Sequence, residues 1–235
     1  MRFRLRYSEV DSGGRLTIVS LINYLQDTVT FVSDEAGCTL QYLMENGWGW
    51  FITSWEIYID RLPSYGEEIE IDTWATELKG VIAYRDIIIN DCDGNLIVKA
   101  RSLWVLMDLK KLSPIRIPAD LLARYDTREP LPGEWRGRRI KTLDGLLSDE
   151  PERLVEVLHL HLDTNGHMNN AYYVEIAREQ IPEGKRISSI RTEYKKSAVL
   201  GDVINVFEMC DGDLLQVALT SGNKDIFALV EFEIL

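Results

Sequence analysis

Asp11-Ser12-Gly13-Gly14-Arg15-Leu16-Thr17 and Asp163-Thr164-Asn165-Gly166-His167-Met168-Asn169 are two versions of one stretch, offset by 152 residues from Asp11 to Asp163. Each opens on an aspartate, carries glycine in its fourth place and runs into a stretch of helical period, followed by strand-like stretches. The repetition predicts a duplicated module. Only the second copy bears chemically able side chains, because Asn165 and His167 stand where the first has Gly13 and Arg15. One half therefore reads as catalytic and the other as structural.

Outward from the first copy, Leu21, Ile22, Leu25, Val29, Val32 and Ala36 recur at helical spacing, with Gly37 as the stop. Alternation then takes over. Phe51, Trp55, Ile57 and Ile59 are read as one side of a strand, and Pro63-Ser64-Tyr65-Gly66 as a turn. Ile69, Ile71, Thr73 and Ala75 alternate with charged residues and Trp74, as in a half-buried antiparallel strand. Asp91-Cys92-Asp93-Gly94-Asn95 signals a hairpin between 84–90 and 96–106. Four of the seven prolines fall between Pro114 and Pro132, followed by Gly133, Gly137 and a basic cluster from Arg136 to Lys141. This stretch reads as an inter-module linker that crosses the surface on the anchors Leu121, Leu122, Trp135 and Leu146. The expected organisation is an N-terminal module over 1–117, a linker over 118–150 and a C-terminal catalytic module over 151–235. In the last, 155–162 is expected as a strand and Ala171 to Gln180 as a short helix. Strands over 188–195, 203–210, 214–220 and 227–234 follow. Strand, helix and a run of antiparallel strands, twice over, predict an α+β fold with a helix wrapped by a curved sheet in each half.

The chain has 235 residues and is 46% hydrophobic, enough for one large core or two small ones. It has no apolar run of membrane-spanning length, about 18 residues. Met1-Arg2-Phe3-Arg4-Leu5-Arg6 reads as a strand with Phe3 and Leu5 on one side, with no apolar signal region behind its charges. The formal net charge of −12 argues against bulk nucleic-acid binding. Three scattered cysteines, Cys38, Cys92 and Cys210, lack metal-ligand spacing and suit reduced thiols in a cytoplasm.

All three histidines lie in His159-Leu160-His161-Leu162-Asp163-Thr164-Asn165-Gly166-His167. Three readings compete. In the first, Asp163, Asn165 and His167 hydrolyse an acyl bond without a metal. A carboxylate holds an imidazole or activates water, an amide polarises a carbonyl, and unpaired N–H groups at the helix start bind the developing oxyanion. In the second, His159, His161 and Asp163 share a strand face and, with His167 near, bind zinc. In the third, Asp163, Asn165 and Asn169 only stabilise a turn and cap a helix. The third gives no reason for His167.

The stretch Asp163-Thr164-Asn165-Gly166-His167-Met168-Asn169-Asn170 resembles the Asp-x-Asn-x-His-x-Asn-Asn motif of acyl-acyl-carrier-protein thioesterases. Trp55-Glu56-Ile57-Tyr58-Ile59-Asp60-Arg61-Leu62-Pro63, Tyr84-Arg85-Asp86, Ala100 to Asp108 and Glu193-Tyr194-Lys195-Lys196 resemble further stretches of that family in the same order. The resemblance implies a double hotdog fold and hydrolysis of the thioester between a fatty acyl chain and acyl carrier protein. It carries Asp163, Asn165 and His167 over as catalytic, with no metal and no cofactor. It departs from the plant pattern at Ser197-Ala198, where those members have Glu-Cys and the Glu is a proposed catalytic carboxylate. Ser197 and Glu193 are the auxiliary candidates, with Glu175 a third carboxylate. The alternatives are an acyl-CoA thioesterase and a non-catalytic acyl-thioester binder. Acyl carrier protein is the implied partner, with no nucleic acid and no membrane, and both monomer and homodimer stay open. The basic patches available to an acidic carrier are Lys110-Lys111 with Arg116, the Arg136–Lys141 cluster, which ranks first, and Lys195-Lys196.

Overall fold

The periodic stretches sort into two compact units, residues 1–136 and 137–235, in a computed structural model that describes residues 1–147 and 150–235. The end of the expected linker, residues 148 and 149, lies outside the described residues.

The first unit holds β1 (Arg2–Arg4), a 3-10 turn (Tyr7–Glu9), α1 (Ile18–Glu35), α2 (Leu40–Glu45) and β2 (Trp48–Ile59). It continues with β3 (Glu68–Lys79), β4 (Ile82–Asp91), β5 (Leu96–Asp108), β6 (Ser113–Pro114) and α3 (Ala119–Leu122). Its sheet runs β1-β3-β4-β5-β2, antiparallel throughout, with β6 on β5. The helix begins earlier than its apolar period because Thr17 caps it, accepting from Ser20 N at 3.2 Å. It stops at Gly37, whose φ of +75° favours glycine. Leu21, Ile22, Leu25 and Val29 are its buried face. On the sheet, Ile57, Ala100, Ile87 and Thr73 stand opposite one another in register and are buried. Each of the two isoleucines contributes roughly 1.5–3 kcal/mol on burial.

One strand reading is corrected. A bulge between Ile52 and Ser54 adds a residue to β2, so Phe51 stands opposite Val105 while Trp55 stands opposite Ser102. Alternation therefore changes phase, and buried Ile52, not Phe51, joins the face of Trp55, Ile57 and Ile59.

The proline-rich stretch is divided between the units rather than spanning a gap. Residues up to 136 strap the outer face of the first sheet. Asp86 takes Arg101 at 2.6 and 2.7 Å and the Leu131 N–H at 2.7 Å. Trp74 Nε1 donates to Glu129 O at 3.0 Å, and Arg136 N donates to Glu56 at 2.9 Å. Residues from 137 onward do the same for the second unit. There Arg191 donates to the carbonyls of Gly137 and Arg139, and Gln216 accepts from Leu143 N at 2.8 Å while donating to Lys141 O at 3.0 Å. Ile140 and Leu146 bury themselves against Phe207, Ala218 and Leu229.

The second unit holds β7 (Arg153–Glu156), a 3-10 turn (His159–His161), α4 (Asn170–Arg178), β8 (Ile187–Tyr194), β9 (Val203–Asp211), β10 (Leu214–Thr220) and β11 (Ile226–Ile234). Its sheet runs β8-β11-β10-β9-β7, antiparallel throughout. Ala171, Val174 and Ala177 are fully buried on α4. The expected strand over 155–162 ends at Glu156, and the two histidines that were to share its face sit in the 3-10 turn instead.

Candidate active site

The two repeated loops have one hydrogen-bond frame. In the first, Asp11 Oδ1 accepts from Gly13 N at 2.8 Å and Arg15 N at 3.0 Å, and Asp11 N donates to Arg15 O at 2.8 Å. In the second, Asp163 Oδ1 accepts from Asn165 N at 2.8 Å and His167 N at 3.1 Å, and Asp163 N donates to His167 O at 2.7 Å. Gly14 and Gly166 take φ of +73° and +74°, the left-handed conformation that closes each turn. Thr17 N donates to Glu9 O and Asn169 N to His161 O, and each of these two residues then caps the helix that follows. The neighbouring segments correspond as well. Leu16 N donates to Pro63 O as Met168 N does to Ala198 O, and Arg15 bridges Ser64 as His167 bridges Val199.

This shared frame separates the three readings residue by residue. Asp163 stabilises the turn, as Asp11 does without chemistry nearby. Asn169 is the cap, its Oδ1 accepting from Ala171 N at 2.9 Å. Asn165 and His167 enter the frame through their backbone N–H groups, while their side chains have no hydrogen-bond partner among the described residues. The turn therefore requires Asp163 and Gly166 but leaves the amide and imidazole unexplained.

Seven backbone donors of the loop and helix start are engaged. Asn165, Gly166, His167, Met168 and Asn169 all donate N–H bonds within the unit, and Ala171 and Tyr172 donate to Asn169. None of these seven N–H groups is unpaired, so none of them is the free oxyanion donor expected at this helix start. The Asn165 amide and the His167 imidazole, without a hydrogen-bond partner among the described residues, are available to a carbonyl oxygen.

The zinc reading loses its geometry. At about three residues per turn, His159 and His161 point in different directions from the 3-10 turn. His161 Nδ1 is engaged as the acceptor of Leu158 N at 3.0 Å, the bond that Glu9 makes to Arg6 N in the first copy. Burial pushes the His161 imidazole below its ordinary value, which keeps it neutral and able to accept. Its ring leans on Tyr172, with centroids 5.1 Å apart.

The auxiliary candidates divide. Ser197 is exposed and immediately precedes Ala198, whose carbonyl takes Met168 N and whose N–H donates to Tyr173 Oη at 2.7 Å. Burial raises that tyrosine to about 12, so it is a neutral anchor. Glu193 is not brought to the loop. Tyr194 reaches α4 through its hydroxyl, which donates to Asn170 O at 3.0 Å. Alternation puts Glu193 on the other face of β8, where it accepts from Ile140 N at 3.1 Å. Its carboxylate holds the strap. Glu175 Oε1 accepts from Arg178, and its Oε2 is buried with no partner among the described residues.

The chain matches the family profile of the acyl-ACP thioesterase N-terminal domain over residues 1–125 and that of the acyl-ACP thioesterase C-terminal domain over residues 148–226. It is 23% identical to the chloroplastic palmitoyl-acyl carrier protein thioesterase of Arabidopsis thaliana, over 98% of this chain and 60% of that one. The chain thus spans about 60% of the length of that curated relative. Among solved structures, an acyl-ACP thioesterase from Bacteroides thetaiotaomicron superposes with a TM-score of 0.90 at 24% identity, covering 100% of this chain and 96% of that one. The 12:0-ACP thioesterase from Umbellularia californica superposes with a TM-score of 0.85 at 19% identity, covering 100% and 96%. With a helix cradled by an antiparallel sheet in each unit, these likenesses fix the fold as the α+β double hotdog.

Proposed function

This chain belongs to the acyl-ACP thioesterase family, and on that premise we propose that it hydrolyses the thioester of a fatty acyl chain carried by acyl carrier protein, using Asn165 and His167 on a loop anchored by Asp163. The observation that supports this most is the pair of loops. One frame is built twice, and only the copy in the C-terminal unit adds an amide and an imidazole that the frame does not engage. The reaction consumes one water and releases a free fatty acid and the carrier thiol. His167 takes a proton from the attacking water and returns it to the departing thiolate, so one imidazole closes the proton balance. Asn165 donates to the thioester oxygen as negative charge develops there. Asp163 holds the His167 backbone through Oδ1, and its charge stabilises the imidazolium that forms. No step calls for a metal or an organic cofactor. Among the described residues no helix is long and apolar enough to cross a membrane. The scattered thiols suit a reducing compartment, which we take to be the cytoplasm, whereas the Arabidopsis relative is named chloroplastic.

The test is turnover of the purified protein on acyl-carrier-protein thioesters of graded chain length, beside the same acyl groups on coenzyme A, before and after exhaustive chelation. Expected is hydrolysis of the carrier-bound thioesters, unchanged by chelation and lost in His167→Ala. Preference for coenzyme A would move the reading to an acyl-CoA thioesterase. Binding without turnover of either would move it to a non-catalytic binder. Loss of turnover on chelation, restored by zinc, would overturn the metal-free mechanism.

A further inference from the structure

The duplicated frame supplies an internal comparison of the surfaces around the two loops. Six aliphatic side chains on the segments that lead into the second loop or pair with its neighbourhood are exposed: Leu154, Leu158, Leu160, Val199, Leu200 and Val203, each between 44% and 63% exposed. The equivalent positions of the first copy, set by the 152-residue offset and by the matched strand pairings and bridges, are Arg2, Arg6, Ser8, Ser64, Tyr65 and Glu68. The same backbone thus carries polar side chains in five of six places where the loop lacks Asn and His, and aliphatic ones throughout where the loop has them. Nothing in the shared frame requires this difference. Isolated exposed aliphatics are ordinary, but such a set confined to one copy marks a contact surface.

The set is tied to the loop. Val199 is the bridge partner of His167, so their side chains leave the backbone on one side. The Val199–Asp202 turn is fastened to the chain just before Leu158, with Val157 N donating to Asp202 O and Gly201 N to Val157 O, both at 2.9 Å. The cations Lys195 and Lys196 lie on the same segment, four and three residues before Val199. Lys196 pairs with exposed Asp225 and Lys195 with Glu193, and the exposed Lys196 pair is worth little and readily exchanged. The densest basic cluster of the sequence lies elsewhere, on the strap, where Arg136 is engaged with Glu56.

We propose that this aliphatic rim, with Lys195 and Lys196 beside it, is where the carrier protein docks. The proposal rests on the thioesterase reading above. The partner is one that presents an apolar contact ringed by carboxylates around the point from which its thioester arm extends. Apolar contact at the centre and opposite charge at the margin is the usual division of such an interface. A second copy of this chain is the poorer occupant, because it would cover the Asn165 and His167 loop that must receive the arm, and each copy carries −12.

The test transplants first-copy residues into the second: Leu158→Arg with Leu160→Ser, neither of them part of the catalytic loop. Three quantities are compared between wild type and variant: hydrolysis of acyl-carrier protein, hydrolysis of the same acyl group on free pantetheine, and binding of carrier protein bearing the arm but no acyl chain. Expected is a rise of about tenfold or more in KM for the carrier-bound substrate and a matching loss of carrier binding, the scale of central interface residues. Pantetheine-thioester turnover stays within about twofold on the same scale. Equal loss on both substrates would overturn the proposal by making these residues supports of the loop. Unchanged carrier binding would overturn it outright. A change in oligomeric state, read by sedimentation, would assign the rim to a second copy instead. Should wild type hydrolyse neither thioester, the thioesterase reading fails, and the carrier-binding comparison still decides the docking surface.

Discussion

Asp163 and His167 occupy one turn and are expected to fail differently when altered. In Asp163→Asn the side-chain oxygen can still accept from Asn165 N and His167 N, so the frame survives and only the charge is removed. Turnover should fall about 10²-fold or more with the melting temperature nearly unchanged, because the imidazolium loses its counter-charge. His167→Ala should cost as much or more, within about 10²- to 10⁴-fold, and Asn165→Ala about 10²-fold. Ser197→Ala should change turnover by less than any of these, because the exposed Ser197 hydroxyl takes no part in the frame. Steady-state rates together with thermal melts check this order. Near-normal turnover in Asp163→Asn with the fold intact would leave Asp163 a turn residue like Asp11, and the carboxylate chemistry would have to be sought elsewhere. The turn residues Asp163 and Gly166 were legible in the sequence because turn geometry demands particular residue types. The engaged backbone donors were not, because a donor's partner is a fact of the folded chain: Met168 N finds Ala198 O, thirty residues on.

Among the elements, the two straps carry the least expected energetics. Arg191 and Glu231 form a nearly buried ion pair on the outer face of the second sheet, and Gln216 extends it to the backbone at Lys141 and Leu143. Removing one partner leaves the other charge buried without compensation, so Glu231→Gln should destabilise by about 3 kcal/mol or more, whereas Arg191→Met with Glu231→Leu should recover much of that loss. Denaturant midpoints of the single and double variants measure the difference. Equal destabilisation by single and double changes would mean that the strap, not the charge pair, sets the cost. The sequence disclosed the anchors of this stretch, Leu121 and Leu146, through their apolarity. It did not disclose the division at residue 136, because the deciding contacts are carboxylates and amides reaching backbone groups. The 3-10 turn at His159–His161 was hidden for a different reason. Val155 to Leu162 alternates like a strand, and only the first copy, where Tyr7-Ser8-Glu9 stands in the same place, breaks the alternation. The bulge in β2 left no sequence signal at all, since Ile52 and Phe51 are equally apolar.

At the scale of the whole molecule, duplication has produced two units with one framework and unequal surfaces. The question it poses is whether the chemistry resides in the loop residues alone or also in what surrounds them. A graft answers it. Gly13→Asn with Arg15→His rebuilds the amide and imidazole in the first loop, within a protein already inactivated by His167→Ala. The graft is sterically feasible. Gly13 does not have a positive φ, and an added Cβ would lie 3.2 Å from Asp11 Oδ1 and otherwise no closer than 3.9 Å to the Arg15 side chain. The fold should therefore persist, with a melting temperature close to that of the parent. Turnover should nevertheless stay at the level of the His167→Ala parent, because Arg6, Ser8 and Ser64 stand where the second copy has Leu158, Leu160 and Val199, and no equivalent rim receives the carrier. Hydrolysis of acyl-carrier protein by the graft, read against the parent, separates the two answers. If turnover returned, the amide, the imidazole and the shared frame would suffice, and the asymmetry of the two surfaces would be unconnected with catalysis. If it does not return on carrier-bound substrate but rises on a pantetheine thioester, the loop supplies the chemistry and the rim supplies the delivery. That division is what an ancestral duplication would favour, since one copy can lose both functions together while its framework goes on stabilising the fold.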